Sequence, residues 1–466
     1  MAEATVRTGP IRDGLRRLAA LPGWLLAAAD ADRVGAALGE HVPGLVGCEA
    51  ERFRHDGATW TAWYDLTVDG LGHVMLAGVL HPPGQAPPDR GGEQAPFGDP
   101  SWRLRLPELG LDLGVEPPGA SLPVVARLTD PEQARLLLEA GLQVREADLS
   151  IAACTPRVLR DKPGRCTLRC ELDYSAGVDA AGRGWPGSVI VKAYARDEGA
   201  DAWAGMRALW DSGLPGGGAV SLAEPLAYLP DVRVLVQGLV PEQDTFKDFM
   251  RSSLRAGTAE ARTRLDAYAA ATARGLAALH GSGVRHGGTV TIEDELAEIR
   301  QVLADLAVPF GDLPGAATSL LDRVEELAAT HPADPAVPTH RSFRPGQVLL
   351  NEGRVGFIDF DGLCMAEPAL DVALFCATVK DLGMDKRTTR SADPQARLDR
   401  VLQLERVCER FLDEYEATAP VSRVRVTLWE TLDLLTNVLR CWTKVKPERV
   451  APTMLLLERQ LAASGL

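Results

Sequence analysis

One short stretch of the chain collects the polar residues that phosphate chemistry uses. Its members are Ser342, Arg344, Gln347, Asp359 and Asp361. Two apolar runs, separated by the tight turn Asn351-Glu352-Gly353, predict a hairpin that brings residues 342, 347 and 359 to one end. Phosphoryl transfer needs such a cluster, because one group orients the attacking hydroxyl while oxygen ligands hold Mg²⁺ against the phosphates.

The elements around this hairpin follow the order strands, then helices. From Glu146 the pattern is that of strands, and the apolar run 188–194 carries Lys192 near its end. After Pro241 apolar residues recur at three and four. This spacing predicts helices over 257–281, 291–306, 316–329, 398–417 and 427–439. The order predicts an α+β chain with two lobes: an N-lobe over 146–240 and a helical C-lobe over 241–466 that contains the hairpin 339–361.

Residues 1–145 predict an N-terminal extension, helical at first and then a β-meander. Residues 53–79 parallel residues 159–194, and this alignment sets Ala77 opposite Lys192. One interpretation is a degenerate copy of the first three N-lobe strands without the lysine. The other is that any two three-stranded meanders look alike. The extension is also where we expect a homo-oligomer or partner-protein interface, or a substrate domain. The Pro/Gly-rich stretch 82–100 predicts an exposed loop.

Composition argues against two classes of partner. The net charge is −14 and no block of Lys or Arg occurs, which argues against nucleic acid. Nothing approaches the roughly 18 consecutive apolar residues of a membrane span. The eight cysteines lack zinc-site spacing, so we expect reduced cysteines in a cytoplasmic protein.

Four segments resemble one family. Residues 340–350 resemble a loop whose usual sequence in aminoglycoside phosphotransferases is His-Gly-Asp-Leu-His-Pro-Gly-Asn-Val-Leu, and Ile358-Asp359-Phe360 resembles the metal-binding strand of that family. Residues 367–373 resemble the family's Asp-Pro-Ala-Leu-Asp-Leu-Ala, and residues 276–280 resemble the end of its long C-lobe helix. These matches occur in order within residues 150–440. The chain is thus similar to the aminoglycoside phosphotransferase and choline kinase-like family, which implies a bilobal protein kinase-like fold.

The resemblance implies a nucleotide site, with ATP or GTP and Mg²⁺ as cofactors. Lys192 resembles the strand lysine that contacts the α- and β-phosphates, and Asp359 resembles the aspartate that binds Mg²⁺. Gln347 stands where the family has its metal-binding Asn. By the same analogy the nucleotide-binding residues include the hinge from Gly238 to Val240. The turn with Lys162 and Gly164 takes the place of a glycine-rich phosphate loop.

Three loop positions, Ser342, Arg344 and Gln347, depart from the family together. Ser342 replaces the catalytic Asp, and serine cannot take up the acceptor's proton at neutral pH. Arg344 replaces the family's His and adds a positive charge suited to a phosphate or an anionic acceptor. Asp361 is the nearest spare carboxylate. On an extended backbone it would point to the same side as Asp359, so we consider it a substitute base or a second metal ligand.

Three functions remain open from the sequence. The first is a phosphotransferase that acts on a small-molecule or peptide hydroxyl with an altered base. The second is a pseudokinase that binds nucleotide or a partner protein without phosphotransfer. The third is a kinase-fold enzyme with altered chemistry, such as nucleotidyl transfer. No motif names the acceptor.

Overall fold

A computed structural model describes residues 11–85, 97–116, 122–162, 164–175, 177–311, 313, 315–384 and 394–466. The loop predicted over 82–100 lies mostly outside the described residues. The chain forms two compact units. One comprises residues 1–117, 292–332 and 427–466, and the other comprises residues 118–291 and 333–426. These boundaries differ from 145 and 240, and the three-part division expected from the sequence stays a prediction.

The chain is α+β, as the sequence predicts. Its helices are α1 (Gly23–Ala29), α2 (Ala31–Gly39), α3 (Pro123–Thr129), α4 (Pro131–Leu142), α5 (Glu198–Asp211), α6 (Phe246–Ala256), α7 (Ala259–His280), α8 (Ile292–Phe310), α9 (Gly315–Thr330), α10 (Ala369–Gly383), α11 (Pro394–Glu416), α12 (Arg423–Thr443) and α13 (Pro447–Ser464). Its first eleven strands are β1 (Leu45–Asp56), β2 (Thr59–Val68), β3 (Gly72–Leu80), β4 (Arg103–Leu106), β5 (Leu111–Val115), β6 (Ile151–Lys162), β7 (Arg165–Tyr174), β8 (Ser188–Tyr194), then β9 (Ser221–Leu222), β10 (Pro225–Leu229) and β11 (Val234–Gln237). The remaining strands are β12 (Asp244–Thr245), β13 (Val337–Thr339), β14 (Val348–Asn351), β15 (Arg354–Phe357) and β16 (Cys364–Ala366).

The five predicted helices of the C-terminal half are confirmed as α7, α8, α9, α11 and α12. Two helices were not expected from the sequence. α6 follows directly on the short strand β12, and α13 begins at Pro447 and contains Pro452, a residue that normally argues against a helix interior. Among the described residues, no helix combines the length and the apolar character that a membrane crossing requires.

The two large sheets share one strand order. In the first unit the order is β1-β2-β3-β5-β4, and in the second it is β6-β7-β8-β11-β10 read from the other edge, with all neighbours antiparallel. Two helices precede the first strand in each case. β1 and β6 both have 12 residues, and β2 and β7 both have 10. This correspondence supports the copied lobe, which stays a prediction.

Strand pairing shifts the predicted alignment by two residues. The first hairpins pair Asp56 with Thr59 and Lys162 with Arg165, which makes Thr59 and Arg165 equivalent. Two residues further on, Thr61 pairs with Val79 and Thr167 pairs with Lys192. Val79, rather than Ala77, therefore stands opposite Lys192 when the two sheets are compared.

Helices α3 and α4 decide which face of the second sheet is available to a ligand. Asp130 caps α4, because its carboxylate accepts the backbone N–H groups of Glu132 and Gln133. The sequence Thr129-Asp130-Pro131-Glu132 is typical of a helix start, and the structure confirms a helix there. Apolar side chains of both helices pack with Cys166, Val191 and other core residues on one face of the sheet. Side chains alternate along a strand, so Lys192 lies on the opposite face.

A buried ion pair fixes the entry to α10. The Arg425 guanidinium contacts both carboxylate oxygens of Glu367, with Nε 2.8 Å from Oε2, and both side chains are 3% exposed. Two residues away, Arg423 is 46% exposed and pairs with Glu409, Asp413 and Glu416. The two arginines are close in sequence but differ in solvent access.

Replacing Arg425 by Ala should lower the free energy of unfolding by about 3–5 kcal/mol, because it removes the cation that faces the buried Glu367 carboxylate. The control Arg423→Ala should cost at most about 1 kcal/mol, since its partners stay hydrated. Urea unfolding followed by circular dichroism measures both. Equal effects of the two substitutions would contradict a special contribution from the buried pair.

Candidate nucleotide and phosphate site

Lys192 and Asp359 meet although 167 residues separate them. Lys192 Nζ lies 2.9 Å from Asp359 Oδ1 and 2.9 Å from Asp361 Oδ1. Lys192 is 5% exposed, on the sheet face opposite α3 and α4. Such a buried ammonium needs counter-charges, and the two carboxylates supply them. The structure thus brings together the residues that the sequence nominates for phosphate and for metal.

The prediction that the backbone is extended from Asp359 to Asp361 is wrong. Asp359 has φ of 75°, a left-handed conformation, and begins a 3₁₀ turn over Phe360–Gly362. Aspartate tolerates this conformation better than most residues. The two carboxylates nevertheless lie on the same side, as predicted, because the turn directs both of them to Lys192.

Two further donors complete the cluster, and sequence reasoning missed both. Arg165 NH1 lies 2.8 Å from Asp361 Oδ2, and its NH2 contacts Asp359 Oδ1. Tyr194 OH donates to Asp361 Oδ2 at 2.9 Å. A signal was present: Tyr194 follows Lys192 by two positions, hence on the same strand face, and Arg165 is its direct cross-strand partner.

The charges in this cluster balance. Burial alone would raise the pKa of Asp359, but Lys192 and Arg165 outweigh burial and hold that pKa below its usual value. Burial and the neighbouring Asp361 raise the pKa of Tyr194, so its phenol keeps the proton that it donates. Two carboxylates therefore face two cations and one neutral donor.

These acids do not fit a Mg²⁺ ion as they are arranged. Asp359 accepts from Lys192 and Arg165, and Asp361 accepts from Lys192, Arg165 and Tyr194. To bind here, Mg²⁺ would have to displace Lys192 or Arg165 from carboxylate oxygens that these cations now contact. Within the described residues no group of three or more His, Cys, Asp or Glu side chains is arranged to hold a metal ion.

Gln347 also presents the wrong atom to a metal. Its Oε1 accepts the backbone N–H of Arg344 at 3.1 Å, and a backbone N–H can bond only to an acceptor, so the oxygen must lie there. The NH₂ group consequently faces Ser342 Oγ at 3.3 Å and Asp359 Oδ2 at 3.4 Å. In this arrangement the NH₂ group of Gln347, rather than its oxygen, faces Asp359, and the role of Gln347 as a metal ligand stays a prediction.

The expected role of Asp361 as a substitute base depends on the lone pairs that its hydrogen bonds leave free. Two donors engage its Oδ2 and one engages its Oδ1, which leaves about one lone pair on Oδ1, so the role of a substitute base stays a prediction. Arg344, the third predicted catalytic residue, is half-buried in the loop and holds Gln347 through its backbone.

The remaining predicted nucleotide contacts are spread over three places. Lys162 is exposed at the end of β6, and Gly164 has φ of 80°, a conformation that suits glycine in the hairpin turn. The N–H of Gly238 donates to the Glu224 carbonyl at 2.8 Å, so it is not available to adenine in this arrangement. Val240 is buried, and its side chain packs where a Cβ on Gly356 would stand.

A buried network holds the loop that carries Ser342. Asp371 Oδ2 accepts the backbone N–H of His340 at 2.6 Å and lies 3.2 Å from His280 Nε2. His280 Nδ1 lies 2.6 Å from Tyr415 OH. Asp371 thus braces the loop through its contacts with His340 and His280.

An aromatic cluster supports the same loop from below. Phe343 lies 4.8 Å from Phe357 and 5.5 Å from Phe375, and Phe375 stacks on Phe411 at 4.4 Å, measured between ring centroids. All four rings are buried. Packing of this density keeps residues 340–347 in one conformation.

Replacing Asp371 by Ala should destabilise the protein by about 1–3 kcal/mol for each donor left without an acceptor, here His340 N–H and His280. Asp371→Asn keeps one acceptor oxygen, and its cost should be smaller. Urea unfolding of both variants measures the difference. A loss of stability from Asn as large as that from Ala would contradict the bracing role of the acceptor oxygen.

Comparisons with known proteins agree with this description. Residues 222–421 match the model of the phosphotransferase enzyme family, APH. No curated protein matches the chain. A glucosamine kinase in complex with glucosamine, ADP and inorganic phosphate is similar at 20% identity, over 59% of this chain and 77% of that chain, with a TM-score of 0.46.

Two more solved structures are similar over longer stretches. Crystal form A of glucosamine kinase is 17% identical over 95% of this chain and 98% of that chain, with a TM-score of 0.47. A choline/ethanolamine kinase family protein from Mesorhizobium loti is 15% identical over 72% and 98%, with a TM-score of 0.45. These values transfer no functional residue to this chain. The family match over residues 222–421 confirms the resemblance that the loop motifs predict: this segment is similar to the phosphotransferase enzyme family, and it carries serine at position 342.

Proposed function

We propose that this chain is a nucleotide-dependent phosphotransferase, with ATP or GTP as donor and the hydroxyl of a small molecule or a peptide as acceptor. The observation that carries the proposal is the contact at 2.9 Å of Lys192, on β8, with Asp359, in the turn after β15. The family match of residues 222–421 supports it.

Lys192 and Arg165 are the proposed phosphate contacts. Both cations lie against the same two carboxylates, and both can turn to a more highly charged partner when one arrives. An arginine guanidinium can bind two phosphate oxygens at once, whereas an ammonium acts as a point charge. No step is assigned to a metal ion, because the acids do not fit one as they are arranged.

Millimolar ATP with Mg²⁺ should raise the melting temperature of the wild type. A ligand at 100 times its Kd stabilises by about 2.7 kcal/mol, which corresponds to a shift of several degrees. Lys192→Ala should abolish most of this shift, and the control Lys446→Ala, an exposed lysine, should retain it. Differential scanning fluorimetry measures all three proteins, and no shift with either ATP or GTP would refute a nucleotide-dependent activity.

A second candidate function is a pseudokinase that binds nucleotide or a partner without phosphotransfer. The observation that favours it is the pairing of Arg165 with both acids, because a guanidinium there neutralises the charge that would attract a metal ion. Nucleotide binding without any release of phosphate to water or to a hydroxyl would replace the first proposal by this one.

Arg165→Ala tests whether the guanidinium of Arg165 prevents Mg²⁺ from binding to Asp359 and Asp361. Without this guanidinium two carboxylates share one lysine, so Mg²⁺ alone at millimolar concentration should raise the melting temperature of the variant but not of the wild type. Arg169→Ala is the matched control, since Arg169 lies on the same strand and pairs with the exposed Glu171. An equal response of wild type and Arg165→Ala to Mg²⁺ would show that Arg165 does not occupy the place of the metal.

A further inference from the structure

The hydrogen-bond partners of His340 decide which of its ring nitrogens carries the proton. Nε2 lies 3.0 Å from the backbone carbonyl oxygen of Ile358. A carbonyl oxygen only accepts, so Nε2 must be the N–H. In the neutral ring Nδ1 then bears a lone pair, and its neighbour at 3.2 Å is Ser342 Oγ. The hydroxyl of Ser342 therefore donates to His340.

The surroundings of His340 leave the ring little freedom. The residue is 0% exposed, and its ring lies 5.7 Å from Phe343 and 4.7 Å from Phe360. Its backbone N–H is held by Asp371 at 2.6 Å. The imidazole is thus fixed with Nδ1 towards Ser342, an arrangement of nucleophile or hydroxyl with a base that enzymes use to move protons.

The hydroxyl of Ser342 has one donor and two acceptor positions. The donor points to His340 Nδ1, and one acceptor position receives the NH₂ of Gln347 at 3.3 Å. Ser342 is half-buried rather than enclosed. The second acceptor position is therefore the place at which an incoming hydroxyl can donate its own proton.

We propose that Ser342 and His340 form a proton relay that replaces the carboxylate of the family's catalytic Asp. This inference rests on the proposed phosphotransferase function. The acceptor oxygen forms a bond to the γ-phosphorus while the bond from phosphorus to the β-phosphate oxygen breaks and the nucleoside diphosphate leaves. The acceptor's proton passes to Ser342 Oγ as the Ser342 proton passes to His340 Nδ1. His340 ends as an imidazolium that still donates from Nε2 to Ile358.

The relay explains why serine at this position is compatible with proton transfer. Serine alone cannot hold the proton, but an imidazole behind it can. The hydrogen bonds of Asp361 run to Lys192, Arg165 and Tyr194 rather than to Ser342. His340 touches no substrate in this scheme and acts through Ser342.

A double-mutant cycle on the hydrolysis of ATP, with water as acceptor, tests the relay. His340→Gln keeps an N–H donor for the Ile358 carbonyl and removes the base. In the wild-type background it should lower kcat by at least about tenfold with little change in KM, as expected for loss of a general base. In the Ser342→Asp background, where a carboxylate takes the proton, the same substitution should lower kcat by less than about twofold. The exposed His41 provides the control His41→Gln, which should leave the activity unchanged.

Two outcomes would overturn the relay. Equal losses in both backgrounds would make His340 a structural residue while the phosphotransferase function stands. If the wild-type protein binds ATP but releases no phosphate, both the relay and the proposed phosphotransferase function are refuted. A readout independent of activity is the ¹⁵N spectrum of the histidine rings, with His340 assigned by its loss in His340→Gln. A proton on Nε2 and a bare Nδ1 support the relay, and a proton on Nδ1 refutes it.

Discussion

The shared hold of two aspartates on one buried lysine is the interaction on which the site depends. Lys192 has almost no contact with solvent, so its charge can persist only if carboxylates meet it. Asp359 and Asp361 meet it because a left-handed residue and a short 3₁₀ turn end β15 at the right place. Lys192 lies on the sheet face opposite α3 and α4. The turn after β15 brings Asp359 and Asp361 to it, and the loop before β14 lies beside them.

The same charge balance explains why the site looks unlike a metal site. A second cation, Arg165, stands with Lys192, and the amide of Gln347 turns its hydrogens towards Asp359. The changes at positions 342 and 347 are then connected, since the NH₂ of Gln347 bonds to Ser342 and Asp359 together. Serine, glutamine and histidine form one hydrogen-bonded chain from the acid cluster to the loop.

Much of this could be predicted from the sequence. The hairpin, Lys192, Asp359 and Asp371 followed from apolar periodicity and from motif order, because local pattern fixes strands and their ends. Arg165 and Tyr194 did not, since their role depends on pairing between β7 and β8 that a single chain position does not reveal. The orientation of Gln347 was equally hidden, because it is set by one backbone N–H of its own loop. The equivalence of Val79 and Lys192 in the two sheets could be found only from the strand pairing, because the sequence does not fix the exact position of each hairpin turn.

The turn between β6 and β7 limits how the proposed nucleotide site could contact phosphate. Lys162 pairs directly with Arg165, so the turn is too short to wrap around phosphates, and what it offers is a side-chain cation rather than a row of backbone amides. Attraction between mobile opposite charges is screened by dissolved ions, whereas a cradle of fixed dipoles is screened much less. At the proposed nucleotide site, the recognition of phosphate near this turn would therefore depend on ionic strength.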